Sequence, residues 1–239
     1  MEISRVYLEC ADSTNLEVRR RAELGAEEGL CVIADRQTAG MGSKGRSFFS
    51  PSLTGLYMSI LVKPAKTDPA LLTCSAAASV CLALEERGKR PGIKWVNDVL
   101  LDAKKVCGIL TQGFYTGSEG FAVVGIGVNL VPPPEGFPPE LRDIAGAVWE
   151  ESDDVRSLRN SLAESVSEGF FRMLGDPDGM KRIYLSRSVV PGRTVTVTDS
   201  EGSYRALALS INGDLSLKVK TDRGEIMNLY SQEVSLKLS

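Results

Sequence analysis

The stretch Lys94-Trp95-Val96-Asn97-Asp98 is followed by Lys104-Lys105-Val106-Cys107-Gly108-Ile109-Leu110 and then by Gly125-Ile126-Gly127-Val128-Asn129-Leu130. Each block sets cationic or amide side chains beside glycines and β-branched residues. A sheet built this way aims a few donors at an anionic ligand while its backbone comes close to that ligand. From Ile93 to Leu130 the apolar residues fall in short runs separated by polar turns, which predicts a meander of three or four strands.

The flanks extend this into an α/β layout. Upstream, a short first strand precedes Asp12-Ser13-Thr14-Asn15, which offers several N-cap residues for a helix stopping near Gly25. Leu30 to Ala34 and Gly55 to Val62 read as buried strands, separated by the glycine-rich loop Gly40-Met41-Gly42-Ser43-Lys44-Gly45-Arg46. Asp68-Pro69 supplies the N-cap and first residue of a long helix ending at Gly88, and its small residues Ser75 to Ser79 permit close packing on a sheet. Downstream, Pro132 to Pro134 and Pro138-Pro139 break the sheet pattern, and two helical stretches follow, 140–150 and 155–174. Leu158, Leu162, Val166, Phe170 and Phe171 recur at helical spacing and read as core. A short helix from Met180 to Leu185 leads to Pro191-Gly192. Beyond it the segments 194–197, 204–208, 215–219 and 233–236 alternate apolar and polar, with a turn at Asn212-Gly213-Asp214. The expected fold is α/β (α+β), a mixed sheet flanked by helices over residues 1–186, with a small antiparallel barrel over 187–239.

Composition narrows the chemistry. The 239 residues are 43% hydrophobic, enough for one good core and a small satellite. A formal charge of −3 argues against a nucleic-acid partner, because a duplex binder needs a dense basic face. The five cysteines form no CxxC pair and sit among apolar neighbours, so they read as small buried hydrophobes in a reducing compartment. The first residues carry no charged-then-apolar leader and no apolar run approaches the ~18 residues of a membrane span, so a soluble, cytoplasmic protein without a membrane partner is expected. Histidine is absent, which removes the Ser-His-Asp triad, the Cys-His pair, the HExxH zinc helix and any imidazole base. No resident metal site is expected. What remains is chemistry done by positioning and electrostatics, and nucleotide activation of a carboxylate fits because the attacking group is already an anion.

Taken singly, several motifs have ordinary readings. Asp12 to Asn15 is an acceptable helix cap, the Gly40–Arg46 loop a flexible turn, Lys94 to Asp98 a strand end with a capped turn that Asp98 braces, and Lys105 a solvated charge in a hairpin. In this order, however, the blocks resemble the catalytic core of the biotin protein ligases, and the resemblance runs from Asp12 to Leu130 and into Glu233-Val234-Ser235-Leu236, which matches that family's closing strand. It implies a two-step reaction. Biotin's carboxylate attacks the α-phosphorus of ATP, used with Mg2+, to give biotinyl-5′-AMP and pyrophosphate; a lysine of a biotin carboxyl carrier protein then attacks the mixed anhydride.

The resemblance also implies roles. Ser13, Thr14, Asn15 and Gln37 would meet the ureido head of biotin, with Gly42 and Gly108 giving the backbone close access. Lys105 would bridge the biotin carboxylate and the α-phosphate, and Arg46 would meet the phosphates. On the nucleotide side would stand Met41, Ser43, Lys44, Phe48, Lys94, Asn97 and Asn129. The loop departs from the family's G-R-G-R-x-G-R, since Met41 and Ser43 replace its first two arginines, and Val96 stands where the family has proline. The implied fold adds an SH3-like C-terminal domain and admits a homodimer. Regulatory members carry a DNA-binding winged helix ahead of the first motif, and with no room for one before Ser13 a ligase without repressor activity is expected. A lipoate or octanoyl ligase of the same architecture and a non-catalytic binder of biotin or its adenylate are the alternatives. A generic nucleotide scaffold is disfavoured by the absence of a P-loop or dinucleotide fingerprint.

Overall fold

The computed structural model describes residues 2–63, 68–116, 119–199, 202–230 and 235–238. Seven strands, β1 (Ser4–Leu8), β2 (Leu30–Ala34), β3 (Gly55–Val62), β4 (Gly92–Lys94), β5 (Asp98–Leu101), β6 (Lys104–Thr116) and β7 (Glu119–Asn129), form one sheet in the order β1-β2-β3-β7-β6-β5-β4. Only β1 and β2 run parallel; the other neighbours are antiparallel, so the sheet is mixed as expected. The meander comprises four strands.

Two layers cover this sheet. On one face lie α2 (Pro69–Glu85), α3 (Val155–Gly175) and α4 (Pro177–Arg187); on the other lies α1 (Thr14–Glu23). The two-residue period of a strand divides β3 accordingly: Leu56, Met58, Ile60 and Val62 join the large core with α2 and α3, while Leu61 packs with Val18, Ala22, Leu30, Val32 and Val123 beneath α1. The helix α2 starts at Pro69, and the Asp68 carboxylate accepts from the Ala70 N–H at 2.8 Å. It is buried almost all round because α3 covers its outer side. A Cβ added at Gly169 of α3 would stand 3.1 Å from Ser79 Cβ, so small residues set the close approach of these helices.

The C-terminal residues form a second antiparallel sheet of β8 (Thr194–Thr198), β9 (Ser203–Ile211), β10 (Leu217–Thr221), β11 (Ile226–Leu229) and β12 (Ser235–Leu238), ordered β11-β10-β9-β8-β12. Four of these strands correspond to the expected segments; β11 does not, since Ile226-Met227-Asn228-Leu229 is short and mostly exposed on an edge. Glu233 and Val234 of the closing motif lie outside the described residues. The two sheets share one hydrophobic cluster that includes Trp95, Val195, Val197, Ala208, Leu217 and Val219. The buried Trp95 Nε1–H donates to the Leu215 carbonyl at 2.9 Å, and the Tyr184 hydroxyl donates to the Val96 carbonyl at 3.0 Å.

Two expectations are corrected. Residues 140–150 form turns and extended chain, not a helix, because their backbone groups are drawn to the sheet edge: Lys105 N–H donates to Ile144 O, Gly146 N–H to Lys105 O, and Val148 N–H to Asn129 O. Of the five cysteines, Cys10 is exposed, whereas burial pushes the Cys31, Cys74 and Cys81 thiols up to about 12 and raises Cys107 as well. Three helix limits also move: α2 ends at Glu85, short of Gly88, and α4 runs from Pro177 to Arg187, beyond Met180 and Leu185 at both ends. No described helix is long and apolar enough to cross a membrane.

Candidate active site

Strand periodicity builds the floor of the site. On the α1 side of the sheet, β7 presents Gly125 and Gly127 and β6 presents Gly108, so side chains from elsewhere fill the space above three glycines. The Asn15 amide stands where a Gly125 side chain would be, and the Phe48 ring lies over Gly127, 2.5 Å from the position of an added Cβ. With Phe48 there, the pocket keeps only about 40 Å³ of free space, room for about three waters. It is lined by Ser13, Thr14, Asn15, Gln37, Met41, Gly42, Ser43, Phe48, Asn97, Lys105 and Gly108, so most residues singled out in the sequence come together here.

Strict alternation would turn Lys105 away from this face. The pairing of β5 with β6 slips between Val99 and Leu100: Val99 pairs with Cys107, and Leu100 pairs with Lys105, leaving Val106 as an extra residue. That bulge sends Val106 into the core at 1% exposure and returns Lys105 to the same side as Gly108. Lys105 Nζ is 2.5 Å from Asp98 Oδ1, and Lys94 Nζ is 3.5 Å from Asp98 Oδ2. Asp98 therefore links both lysines, a larger part than bracing its own turn.

The amide residues at the far end are already engaged with one another. Gln37 Oε1 accepts from the Thr14 N–H at 2.8 Å and from its hydroxyl at 3.1 Å, and Gln37 Nε2 donates to Ser50 Oγ at 2.9 Å. Asn15 Nδ2 donates to Gln112 Oε1 at 2.9 Å, while the buried Ser59 hydroxyl lies 2.6 Å from Asn15 Oδ1 and 2.7 Å from Thr14 Oγ1. This frame fixes the orientation of Thr14 and Asn15. Ser13 is the N-cap of α1 by backbone geometry, but its hydroxyl makes no capping bond. Ser59 and Gln112 were not singled out in the sequence. For Ser59 the signal was present, because a polar residue at the centre of the fully buried apolar strand β3 requires a partner; Gln112 is half-buried on β6 and carries no such signal.

The remaining expected residues line the adjoining space. A cleft of about 590 Å³ opens beside the pocket, bounded by Arg46, Phe48, Lys94, Asp98, Lys105 and Asn129 on one side and by Leu141, Ile144, Thr198, Leu236 and Lys237 on the other. Lys44, Lys94, Arg46 and Asn97 border a second depression of about 390 Å³. Asn97 Nδ2 is held by the Ile109 carbonyl and Asn129 Nδ2 by the Gly146 carbonyl, each at 2.9 Å, so both amides serve the backbone in this conformation. In the loop, Lys44 has φ +58° and an exposed side chain, while Arg46 folds onto Ser43 O and Ser43 Oγ at 3.1 and 3.0 Å. Lys105 is the cation common to pocket and cleft. No group of metal-ligating side chains occurs among the described residues.

The model of the biotin/lipoate A/B protein ligase family matches residues 7–129. The bifunctional ligase/repressor BirA of Bacillus subtilis is 31% identical over 97% of this chain and 73% of its own length. The biotin–[acetyl-CoA-carboxylase] ligase of Mycobacterium tuberculosis is 32% identical over 77% of this chain and 71% of its own. Among solved structures, the biotin protein ligase of Aquifex aeolicus in complex with biotin and ATP superposes with a TM-score of 0.81, at 28% identity and 99% coverage of both chains. With the glycine floor, the polar frame and the bulge-positioned lysine in the matched segment, the chain belongs to the biotin/lipoate A/B protein ligase family, among its biotin protein ligases.

Proposed function

We propose that the protein activates biotin with MgATP to biotinyl-5′-AMP and transfers the biotinyl group to a lysine of a biotin carboxyl carrier protein. The observation that carries this reading is the position of Lys105, where the small polar pocket opens into the wide cleft. Biotin's ring system fits the pocket side, over Gly108, Gly125 and Gly127 and against Ser13, Thr14, Asn15 and Gln37, once the Phe48 ring swings aside. The nucleotide fits the cleft, where Lys94, Arg46 and Asn129 stand and where Met41, Ser43 and Lys44 form the loop above it.

The first step brings a carboxylate against a phosphate, so the barrier contains the repulsion of two anions. A preorganised ammonium at their meeting point lowers it, and the enzyme needs no covalent intermediate. Nothing has to remove a proton from biotin's carboxylate, which suits a chain without histidine. Mg2+ enters with ATP and adds charge to the phosphates.

Residues 1–186 are read as the catalytic unit and 187–239 as a satellite that closes like an SH3 barrel and borders the cleft through Thr198, Leu236 and Lys237. A cytoplasmic enzyme, with a homodimer as one admissible assembly, is part of the same reading. The test is incubation with MgATP, biotin and a carrier domain. A biotin-labelled carrier with pyrophosphate release is expected; labelling with lipoate instead, or bound biotin without turnover, would overturn the assignment.

A further inference from the structure

We propose that Asp98 takes up the proton released when the acceptor lysine attacks biotinyl-5′-AMP, an assignment that rests on the ligase reading above. The need is chemical. A lysine side chain has an ordinary pKa of about 10.4, so roughly one in a thousand to one in ten thousand is the free amine at neutral pH. The chain has no histidine to take the proton. Of the side chains lining the cleft, Lys94, Arg46, Lys105 and Lys237 are cations, and the carboxylates are Asp98 and Glu140. Glu140 is exposed, in the rim turn that follows β7. Asp98 stands on the floor, with its side chain 15% exposed and Oδ1 2.5 Å from Lys105 Nζ.

Lys105 is the cation assigned to the junction of biotin carboxylate and α-phosphate. A nucleophile approaching that acyl carbon through the cleft therefore comes within reach of the Asp98 carboxylate. The groups facing Asp98 are Lys94 from β4 and Lys105 from β6, with Arg46, Glu140 and Lys237 around the same cleft. The looser Lys94 contact, at 3.5 Å, leaves Oδ2 the more available oxygen. In the step, the amine lone pair forms the C–N bond to the acyl carbon and the C–O bond to phosphorus's oxygen breaks. AMP leaves with that electron pair, and the N–H proton passes to Asp98 and then to solvent through the cleft. No group changes oxidation state.

The competing role is purely positional, since Asp98 also holds both lysines. Asp98→Asn separates the two when adenylate formation from biotin and MgATP, and transfer from supplied biotinyl-5′-AMP to a carrier domain, are each followed in a single turnover. Loss of a proton acceptor slows its step by about 10²-fold or more. Transfer should fall by that amount, and at least tenfold further than adenylate formation. The residual transfer should climb about tenfold per pH unit above neutrality as free amine accumulates. Hydroxylamine, uncharged at neutral pH, should accept the biotinyl group with a much smaller defect, and Asp98→Glu should regain part of the transfer rate. Equal losses in both steps, an equal defect with hydroxylamine, or unchanged transfer would each overturn the proposal. Wild-type protein that forms no biotinyl-5′-AMP would instead sink the ligase reading itself, before any variant is compared.

Discussion

Lys105 draws its importance from position, because the same ammonium on an exposed hairpin would be worth little. Here it is tied to Asp98 at 2.5 Å and borders both pocket and cleft. Removing one preorganised charge contact typically costs about 10²–10³ in rate. Lys105→Ala is expected to slow pyrophosphate release in a single turnover by that factor while the fold persists, and an unchanged rate would remove Lys105 from the mechanism. The loop residues invite a second measurement. Met41 and Ser43 offer no charge, Lys44 is exposed, and Arg46 is folded onto Ser43. Each charge-assisted hydrogen bond missing from the phosphate is worth about 1.5–3 kcal/mol, so biotinyl-5′-AMP should be held loosely unless Lys44 swings in. Ser43→Arg should slow release of the intermediate if the loop is leaky, and Lys44→Ala should hasten it if Lys44 compensates. If neither changes the release rate, the loop does not retain the intermediate.

At the scale of elements, the three glycines and the β6 bulge do the same job from opposite directions: the glycines empty one face of the sheet, and the bulge turns a lysine into the emptied space. Gly127 tests this directly. Its backbone is ordinary strand, and what the new Cβ would meet at 2.5 Å is the far edge of the Phe48 ring, which biotin must displace in any case; alanine there costs the fold little but sets a methyl in the floor assigned to biotin. Gly127→Ala is therefore expected to weaken biotin binding by calorimetry about tenfold or more, with the melting temperature moving by only a few degrees. Unchanged affinity would show that biotin does not lie over β7. The glycines, the strand order of the meander and the capped start of α2 were legible because each is a local pattern with a physical cause. The bulge was not, since period-two reading assigns Lys105 to the wrong face and only the pairing with β5 reveals the slip. The segment 140–150 misled for a related reason: its backbone partners, Lys105 and Asn129, are distant in sequence and outweigh its local helical pattern. The role of Asp98 was likewise hidden, because its lysine partners sit on two different strands.

For the molecule as a whole, the alternation beyond Pro191 read as a satellite, and a free-standing satellite would be removable at little cost to the rest. The packing argues otherwise. Trp95, from the turn that precedes Asn97 and Asp98, is 5% exposed, lies in a cluster continuous with β8, β9 and β10, and donates its indole N–H to Leu215. The small sheet thus covers the back of the active-site turn while Leu236 and Lys237 line the front of the cleft. Trp95→Phe keeps most of the apolar contact and deletes one donor, leaving the Leu215 carbonyl unsatisfied at a cost of about 1–3 kcal/mol. That variant should melt earlier and lose adenylate formation in parallel, because the turn carrying Asp98 loosens. Truncation near Arg187 should go further: it uncovers the whole Trp95 cluster, so biotin affinity and carrier labelling should fall together with thermal stability. A truncated protein that stays folded and binds biotin like the full chain would show that the second sheet serves only the nucleotide or the carrier. The shared core would then be packing without consequence for the site.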